Sequence, residues 1–372
     1  MKVLKTTEAV GEMLCHDITQ IIPGVCKGPA FRKGHIIREE DIPVLLSIGK
    51  ENVYIWETDE TMMHENDAAQ VLYKLCCGIS VPSCAPEYDD AGDVIPGRMY
   101  DTTFLIPSKI SEGKIELTAG IDGLLKIDRR RLCAVNSIGE MMIAARHGDF
   151  PVRKGDKVAG TRVIPLTIAR DQMERAAVSA AGAPILRILP FKAKRAGVVT
   201  TGSEVFNGLI EDKFTPVIEK KLAEYGSTMA QHRIVNDDPA MTADAIREML
   251  AAGCDLILCT GGMSVDPDDR TPQAIRSCTD EVISYGAPVL PGAMFMLGYK
   301  HTADGGRIPV CGLPGCVMYA KRTIFDLVLP RLLADDPVNR EEIDVLGEGG
   351  LCLGCTVCTF PNCGFGKSGR NT

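Results

Sequence analysis

The sequence predicts an α/β fold: a mainly parallel three-layer sheet domain at residues 195–336, with a smaller β-rich to mixed N-terminal region and a cysteine-rich tail. Buried-strand runs such as Arg195–Thr201 and Cys254–Thr260 alternate with amphipathic helical patterns such as Thr242–Ala252. This alternation specifies a parallel sheet with helices on both faces. Glycine-rich turns follow the strands, and such sheets bind ligands beyond the carboxyl ends of their strands.

The rest of the chain divides by composition and periodicity. We expect a small β-rich element at 1–60, a mixed α+β region at 61–167, a helical connector at 168–194 and a separate tail at 347–372. Within these regions, the patterns predict helices at Glu39–Gly49, Asn66–Leu75 and Ser137–Arg146, and strands or turns at Val94–Ile110. In the sheet domain, Gly315–Leu333 is predicted to be one long helix.

Charge and hydropathy narrow the possible partners. The net charge is −8, with 45% hydrophobic and 24% charged residues, as in ordinary globular proteins. Nucleic-acid and acidic-lipid binding need clustered positive charge, so neither is expected. We find neither a signal-peptide pattern nor an apolar run of membrane-spanning length, so a cytoplasmic location is expected.

Three predicted loops carry the chemistry of the sheet domain. They are Thr201–Glu204, Thr260–Pro272 and Gly312–Gly315. Glycines let backbone amides approach a ligand closely, because no Cβ stands in the way. A helix that starts near Gly315 adds unpaired amides and a positive dipole end, so a phosphate could bind there without a cluster of lysines.

Acidic residues accompany these loops: Glu204, Asp212, Asp237, Asp238, Asp266, Asp268 and Asp269. Mg²⁺ binds one or two carboxylates together with substrate phosphate oxygens, so these side chains suit a magnesium-assisted reaction of a phosphoanhydride. Asp266 and Asp268 could equally be solvated loop residues or a helix cap.

The ordered set of loop motifs resembles the molybdopterin-binding domain of molybdopterin adenylyltransferases and molybdenumtransferases, which also occurs in competence-damage-inducible proteins. The resemblance covers Arg195–Ala334. It rests on Thr-Gly-Ser-Glu at 201–204, Val-Asn-Asp-Asp at 235–238, Thr-Gly-Gly-x-Ser at 260–264, Asp-x-Thr-Pro at 269–272, Pro-Gly at 291–292 and Gly-Leu-Pro-Gly at 312–315.

The resemblance implies a role for each loop. Gly312–Gly315 would bind the phosphate end of the pterin, while Asp269 and Asp237 would be the working carboxylates, supported by Glu204. The implied ligand-binding residues are Thr201, Gly202, Ser203, Thr260, Gly261, Gly262, Ser264, Asp266, Thr271, Pro291, Gly292, Gly312, Leu313, Pro314 and Gly315.

Two features depart from the transferase pattern. Phe31–Val53 resembles a small β domain of molybdenumtransferases but lies far upstream, and the Asp-Gly-Tyr-Ala stretch of their N-terminal domain is missing. Asp212-Lys-Phe also replaces the expected Asp-Ser-Asn. Binding of the pterin is therefore better supported than a full transferase activity.

Three functions follow from the resemblance. The first is insertion of molybdate into adenylylated molybdopterin with Mg²⁺, releasing AMP. The second is a non-catalytic carrier that delivers molybdopterin or the finished cofactor to a molybdoenzyme, with the tail as a docking or redox module. The third is the adenylyltransferase step. A homo-oligomer, most simply a dimer, is expected.

The tail has metal-site spacing. Cys352, Cys355, Cys358 and Cys363 follow the pattern C-x2-C-x2-C-x4-C, close to an iron–sulfur run. A four-cysteine zinc site is the competing prediction, and a flexible tail with uncoordinated thiols is the alternative to both. Lys321 and Arg322 could reach a phosphate or form a solvated helix face. His16, His232 and His301 have no ligand spacing and are expected to be structural or exposed.

Overall fold

The computed structural model describes residues 2–22, 26–55, 59–79, 103–267 and 269–367, and forms two compact units. Unit 1 comprises Met1–Thr118, Asp128–Arg146 and Lys157–Arg187, and unit 2 comprises Ala119–Ile127, His147–Asp156 and Ile188–Thr372. The region predicted at 61–167 is thus shared between the units. Of the segment expected at Val94–Ile110, the first part lies outside the described residues, as does Asp268.

The strands, in chain order, are β1 Lys2–Lys5, β2 Ile18–Ile22, β3 Cys26–Phe31, β4 Asn52–Ile55, β5 Met62–His64, β6 Leu105–Pro107, β7 Lys114–Ala119, β8 Gly123–Ile127, β9 Met141–Ala145, β10 Phe150–Val152, β11 Lys157–Val163, β12 Thr167–Ala169, β13 Leu186–Pro190, β14 Arg195–Thr201, β15 Thr228–Val235, β16 Leu256–Thr260, β17 Glu281–Tyr285, β18 Met296–His301 and β19 Arg307–Leu313.

The α-helices are α1 Ile42–Ser47, α2 Glu65–Cys77, α3 Arg129–Asn136, α4 Arg170–Ala180, α5 Ser203–Phe206, α6 Thr215–Ala223, α7 Pro239–Ala251, α8 Thr271–Cys278, α9 Ile324–Leu333 and α10 Arg340–Asp344. Short 3₁₀ segments occur at Thr6–Glu8, Glu39–Asp41, Gly315–Met318 and Val345–Gly347. Within the described ranges, none of the helices is both long and apolar enough to cross a bilayer.

Unit 1 is built from small antiparallel sheets, the largest with strand order β6-β7-β11-β9. The helices expected near Glu39–Gly49 and Asn66–Leu75 are confirmed as α1 and α2. The helix predicted at Ser137–Arg146 is wrong, because α3 ends at Asn136 and β9 follows. Gly139 and Glu140 both have positive φ, at 88° and 60°, which ends a right-handed helix.

His64 fastens the start of α2. Its Nδ1 accepts a hydrogen bond from the Asn66 amide at 3.2 Å, and its Nε2 lies 3.0 Å from the carbonyl oxygen of Cys15. A neutral ring with its proton on Nε2 satisfies both contacts. Burial and the nearby charge of Lys33 lower the pKa of His64, so the folded protein favours this neutral form.

Unit 2 contains a six-stranded sheet with order β15-β14-β16-β19-β18-β17. The first four strands are parallel, and β18 runs antiparallel to both of its neighbours. Leu258 packs into a core cluster with α6 and α9, whereas the adjacent Ile257 packs into a second cluster with α7 and α8. The predicted three-layer α/β fold is therefore confirmed. The strand β18 is an addition that the sequence pattern did not predict.

The cysteine-rich tail belongs to unit 2. Phe365 is part of the unit's core cluster, and Cys352, Phe360 and Cys363 pack against that cluster. The tail backbone also pairs with Leu290, whose amide donates to the Gly350 carbonyl at 2.8 Å. The described part of the tail is thus docked on the sheet domain rather than separate from it.

A buried ionic network holds the start of α9. Asp326 is 3% exposed; its Oδ1 lies 2.5 Å from the Lys221 ammonium and 2.8 Å from the Arg322 guanidinium. Its Oδ2 accepts the Thr323 amide at 2.8 Å, and the Thr323 hydroxyl in turn accepts the Phe325 amide. One carboxylate thus caps α9 and neutralises a buried lysine on α6.

We expect Asp326→Ala to lower the free energy of unfolding by about 3–5 kcal/mol, because it leaves the Lys221 charge buried without its partner. The matched control is Asp344→Ala, which removes an exposed ion pair with Arg340 and should cost less than about 1 kcal/mol. Urea denaturation measures both. Equal losses in the two variants would contradict the role given to Asp326.

The lowered pKa of His64 predicts that the folded protein loses stability in acid. The unfolded chain protonates histidine near pH 6.5, whereas folded His64 stays neutral to lower pH, so stability falls as the pH drops below about 6.5. His16, whose pKa burial also lowers, contributes with the same sign.

Asparagine at position 64 keeps a cap for α2 but does not titrate. His64→Asn should therefore show a smaller drop in melting temperature between about pH 7.5 and pH 5.5 than the parent protein, as followed by circular dichroism. His301→Asn, at an exposed position, is the control and should keep the full drop. The same pH dependence in His64→Asn as in the parent protein would exclude this role.

Candidate functional site

The parallel strands of unit 2 end level with one another. Val235 pairs with Thr201, Thr200 with Thr260, and Thr260 with Leu313 across the neighbouring strands β15, β14, β16 and β19. Because the register aligns these carboxyl ends, the loops that follow them lie along one edge of the sheet. The three loops predicted to bind a ligand are therefore neighbours, as the fold class implied.

Threonine hydroxyls tie the first two loops together. The Thr201 hydroxyl lies 3.2 Å from both the Thr260 carbonyl oxygen and the Thr271 hydroxyl, and the Thr271 hydroxyl donates to the Gly261 carbonyl at 2.9 Å. Thr201 and Thr271 are buried, so these hydroxyls hold the protein's own loops. The Thr260 hydroxyl is also buried, and it has no hydrogen-bond partner within the described part of the chain.

At most of the predicted ligand-binding glycines, neighbouring protein atoms fill the space that a side chain would occupy. A Cβ on Gly261, where φ is +82°, would collide with the Thr201 carbonyl oxygen, and one on Gly262 would lie 2.6 Å from the Thr271 hydroxyl. A Cβ on Gly312 would meet Met263 at 2.5 Å. These glycines let the loops approach one another.

Two other glycines face open space. A Cβ on Gly202 or on Gly315 would meet no described atom within 4 Å beyond its chain neighbours. They flank the level strand ends, one after β14 and one after β19. These two glycines have open space on the side where a Cβ would lie, and the Gly202 amide donates to the Val235 carbonyl at 3.3 Å.

The segment after Gly315 corrects a prediction. Residues 315–318 form a short 3₁₀ turn, and α9 starts only at Ile324, so no long helix begins at Gly315. The sequence Thr323-x-x-Asp326 is a capping box, a start signal within the predicted helix. The amides at the start of α9 already donate to the Asp326 carboxylate, the Pro291 carbonyl and the Thr323 hydroxyl. The helix dipole expected directly behind Gly315 is missing.

Pro291 and Gly292 support the same helix. The Pro291 carbonyl accepts the Ile324 amide at 3.2 Å, and a Cβ on Gly292 would lie 2.5 Å from the Ile324 side chain. Leu313 and Pro314 are buried at the end of β19. The structure thus gives these predicted ligand-binding residues a packing environment.

Asp237 connects two strand ends. Its Oδ2 accepts the Ser203 amide at 2.8 Å and the Ser203 hydroxyl at 2.7 Å. Ser203 follows β14, and Asp237 follows β15. Glu204 is exposed in the first turn of α5 and shares this edge.

Asp269 shapes the second loop in a similar way. Its Oδ2 accepts the Ser264 amide at 3.1 Å, and its own amide donates to the Asp266 carbonyl at 2.9 Å. The Asp266 side chain is exposed. For both Asp237 and Asp269, Oδ1 accepts no hydrogen bond from any described residue, so each presents one unused carboxylate oxygen.

A polar network that was not predicted from the sequence lies beside the first loop. The Asp212 Oδ2 accepts the Thr215 hydroxyl at 2.5 Å and the Thr200 hydroxyl at 3.0 Å, and lies 3.4 Å from the His232 ring. Burial opposes ionisation of Asp212, but hydrogen bonds from the Thr215 hydroxyl and amide outweigh it and lower the pKa. The sequence signal that could have indicated this network is Asp212, which lies just before the helix start at Thr215-Pro216.

The tail thiols do not form the predicted metal site. Cys352 and Cys363 are half-buried against the core, while Cys355 and Cys358 are exposed. Over the described ranges, no three histidine, cysteine or acidic side chains stand close enough to hold a metal ion together. An iron–sulfur or zinc site on the four thiols does not fit this arrangement.

Lys321 and Arg322 hold the tail rather than a ligand. The Lys321 ammonium donates to the carbonyl oxygens of Cys355 and Thr356, at 3.1 and 2.7 Å. The Arg322 guanidinium lies 5.0 Å from the ring centroid of Phe360. Neither the predicted phosphate contact nor a solvated helix face describes these residues.

Comparison with known proteins identifies the sheet domain. The family described as "Probable molybdopterin binding domain" matches residues 197–334, and a domain of unknown function matches residues 3–57. Residues 197–334 are therefore a domain of the molybdopterin-binding family, which confirms the resemblance inferred from the loops.

The similarity to individual proteins is partial. A CinA-like protein of Mycobacterium leprae is 37% identical over 90 residues, which are 24% of this chain and 21% of that protein. The chain thus spans about a fifth of the length of the curated relatives it matches.

Two solved structures are similar over the sheet domain. The tungsten cofactor synthesizing protein MoaB of Pyrococcus furiosus is 23% identical over 38% of this chain and 89% of its own, with a TM-score of 0.30. The molybdopterin biosynthesis enzyme MoaB of Thermus thermophilus is 26% identical over 39% and 98%, with a TM-score of 0.34.

Alanine substitutions at the two kinds of glycine should differ in their effect on stability. Gly261→Ala should lower stability by at least about 1–3 kcal/mol, the cost of a strained backbone, because the methyl group also collides with the Thr201 carbonyl. Gly315→Ala has open space and should change stability by less than about 0.5 kcal/mol. Thermal unfolding of the two variants tests this contrast, and a stable Gly261→Ala protein would refute the packing role.

Proposed function

We propose that unit 2 binds molybdopterin or its adenylylated form along the edge where the parallel strands end, and that the protein inserts molybdate into the adenylylated form with release of AMP. The observation that carries this proposal is the convergence of the family's loops at one level edge, with Gly202 and Gly315 open beside it. The backbone at these two glycines is where the phosphate end of the pterin would approach.

The carboxylates of this edge support a role for Mg²⁺. Glu204, Asp237, Asp266 and Asp269 place negative charge where an anionic ligand must approach. One or two of these carboxylates, together with phosphate oxygens of the ligand, would be enough to hold Mg²⁺. The unused Oδ1 atoms of Asp237 and Asp269 would be suitable metal ligands. When bound, the ion would polarise the phosphoanhydride.

Residues of the protein itself would orient the reacting groups. Ser203 and Ser264 fix one oxygen of Asp237 and Asp269 respectively, so the second oxygen of each carboxylate is held in a defined direction. If Asp237 binds the ion, the second oxygen of Asp269 would orient the oxygen nucleophile that attacks the phosphoanhydride, by accepting a hydrogen bond from it. The buried threonine contacts keep the two loops in register without contacting the ligand.

A carrier function is the second candidate. Two sets of hydrogen-bond donors that could bind a phosphate are already bonded within the protein. They are the first amides of α9, and the hydroxyls of Thr201 and Thr271. Such an edge could bind the pterin without turnover and pass it to a molybdoenzyme.

Asp269→Asn separates binding from reaction. The amide oxygen can still accept the Ser264 amide, but the charge is lost, so we expect molybdopterin affinity within about threefold of the parent and AMP release slower by about 100-fold or more. Isothermal titration measures the first quantity, and a molybdate-dependent AMP assay with adenylylated molybdopterin and Mg²⁺ measures the second.

Asp244→Asn is the matched control, since this exposed aspartate lies on α7 of the same unit and outside the three loops, and it should retain AMP release. Unchanged AMP release in Asp269→Asn would refute the role of Asp269. Tight binding by the parent protein without AMP release would favour the carrier, and pyrophosphate release from ATP would favour the adenylyltransferase. No binding of either pterin form would overturn the proposal itself.

A further inference from the structure

The thiols of the described residues differ sharply in exposure. Most are buried in strands or helices: Cys15, Cys76, Cys77, Cys254, Cys259, Cys278 and Cys311. Burial raises the pKa of Cys76 and Cys254, which makes such thiols inert. Cys133, Cys355 and Cys358 are the exposed ones among those described, and two of them lie in one tail loop.

The loop that carries Cys355 and Cys358 is anchored at both ends. On its N-terminal side, the Cys352 amide donates to the Leu290 carbonyl at 2.8 Å. On its C-terminal side, the Phe360 ring lies 5.8 Å from that of Phe150 and under the Arg322 guanidinium. The pair therefore belongs to an ordered surface loop.

The centre of the loop is held as well. The Lys321 ammonium donates to the Cys355 and Thr356 carbonyls, and the backbone bends at Thr356 and Val357. An extended chain would place residues i and i+3 about 10 Å apart, beyond the roughly 4.4–6.8 Å Cα separation of a disulfide. The bend shortens this separation, which favours bonding between the two thiols that flank it.

The outer tail cysteines have a different environment. Cys352 and Cys363 are half-buried and pack against the core of unit 2. Together with Cys355 and Cys358 they have the sequence spacing of a metal site. Their burial, however, is typical of side chains that pack against a core. The four thiols thus divide into two packing residues and one exposed pair.

We propose that Cys355 and Cys358 form a thiol–disulfide exchange site that reacts with low-molecular-weight disulfides to close an intramolecular bond, while Cys352 and Cys363 remain reduced. This site lies outside the proposed pterin edge and does not depend on the proposed function.

The reaction balances with a disulfide RSSR as the oxidant. The thiolate of one cysteine attacks a sulfur of RSSR, which forms a mixed disulfide and releases RS⁻. The second thiolate then attacks the protein sulfur of that mixed disulfide and releases the second RS⁻. The pair loses two electrons and two protons, and RSSR leaves as two molecules of RSH.

The test treats the reduced full-length protein with oxidised glutathione, blocks the remaining thiols with N-ethylmaleimide, and maps the tail by peptide mass spectrometry. We expect a Cys355–Cys358 disulfide with loss of both thiols, and unmodified Cys352 and Cys363 until the protein is denatured. Cys358→Ser should instead retain one glutathione on Cys355. Cys133→Ser is the control and should close the tail disulfide as the parent does.

Three results would overturn the proposal. The first is a tail that stays reduced after Cys133 has reacted with glutathione. The second is a disulfide that includes Cys352 or Cys363. The third is a protein that, purified without oxidant, holds zinc or iron that protects all four tail thiols from alkylation. Because the substituted side chains are exposed, circular dichroism should match the parent and separate these results from misfolding.

Discussion

The level ending of four parallel strands is the constraint on which the rest of this molecule depends. Parallel register places the residues after β15, β14, β16 and β19 along one edge, although they are far apart in the chain. The loops then stabilise one another through buried threonine contacts and through glycines that have no room for a side chain. Beside Gly202 and Gly315 the packing leaves open space, since no described atom beyond the chain neighbours lies within 4 Å of an added Cβ.

A second constraint is the buried ionic network around Asp326 at the start of α9. The Asp326 carboxylate caps α9, neutralises Lys221 and binds Arg322, whose guanidinium also covers Phe360 of the tail. Buried charges persist only when they are paired and hydrogen-bonded, so the helix start and this part of the tail depend on the same group of contacts. The break between Gly315 and α9 is a consequence, because the capping box fixes where the helix begins.

The acidic residues near this edge have two kinds of hydrogen-bond environment. Asp237 and Asp269 each use one oxygen to order a loop and present the other, whereas Asp212 is enclosed by Thr200, Thr215 and His232. The first arrangement leaves one carboxylate oxygen without a partner among the described residues, and the second uses the carboxylate to support a strand end. In the tail, burial divides the cysteines in the same manner, into packing thiols and an exposed pair.

The sequence by itself determined the α/β class, the alternation of strands and helices from Arg195 to Thr260, and the loops that meet at the edge. Alternating strand and helix patterns and glycine turns are local signals, and they sufficed for that. Only the tertiary structure decided which glycines face a neighbour, where α9 starts, that Lys321 and Arg322 hold the tail, and that the tail thiols are not gathered. Each of these depends on residues distant in the chain that come within a few ångströms, and spacing along a sequence does not report such distances.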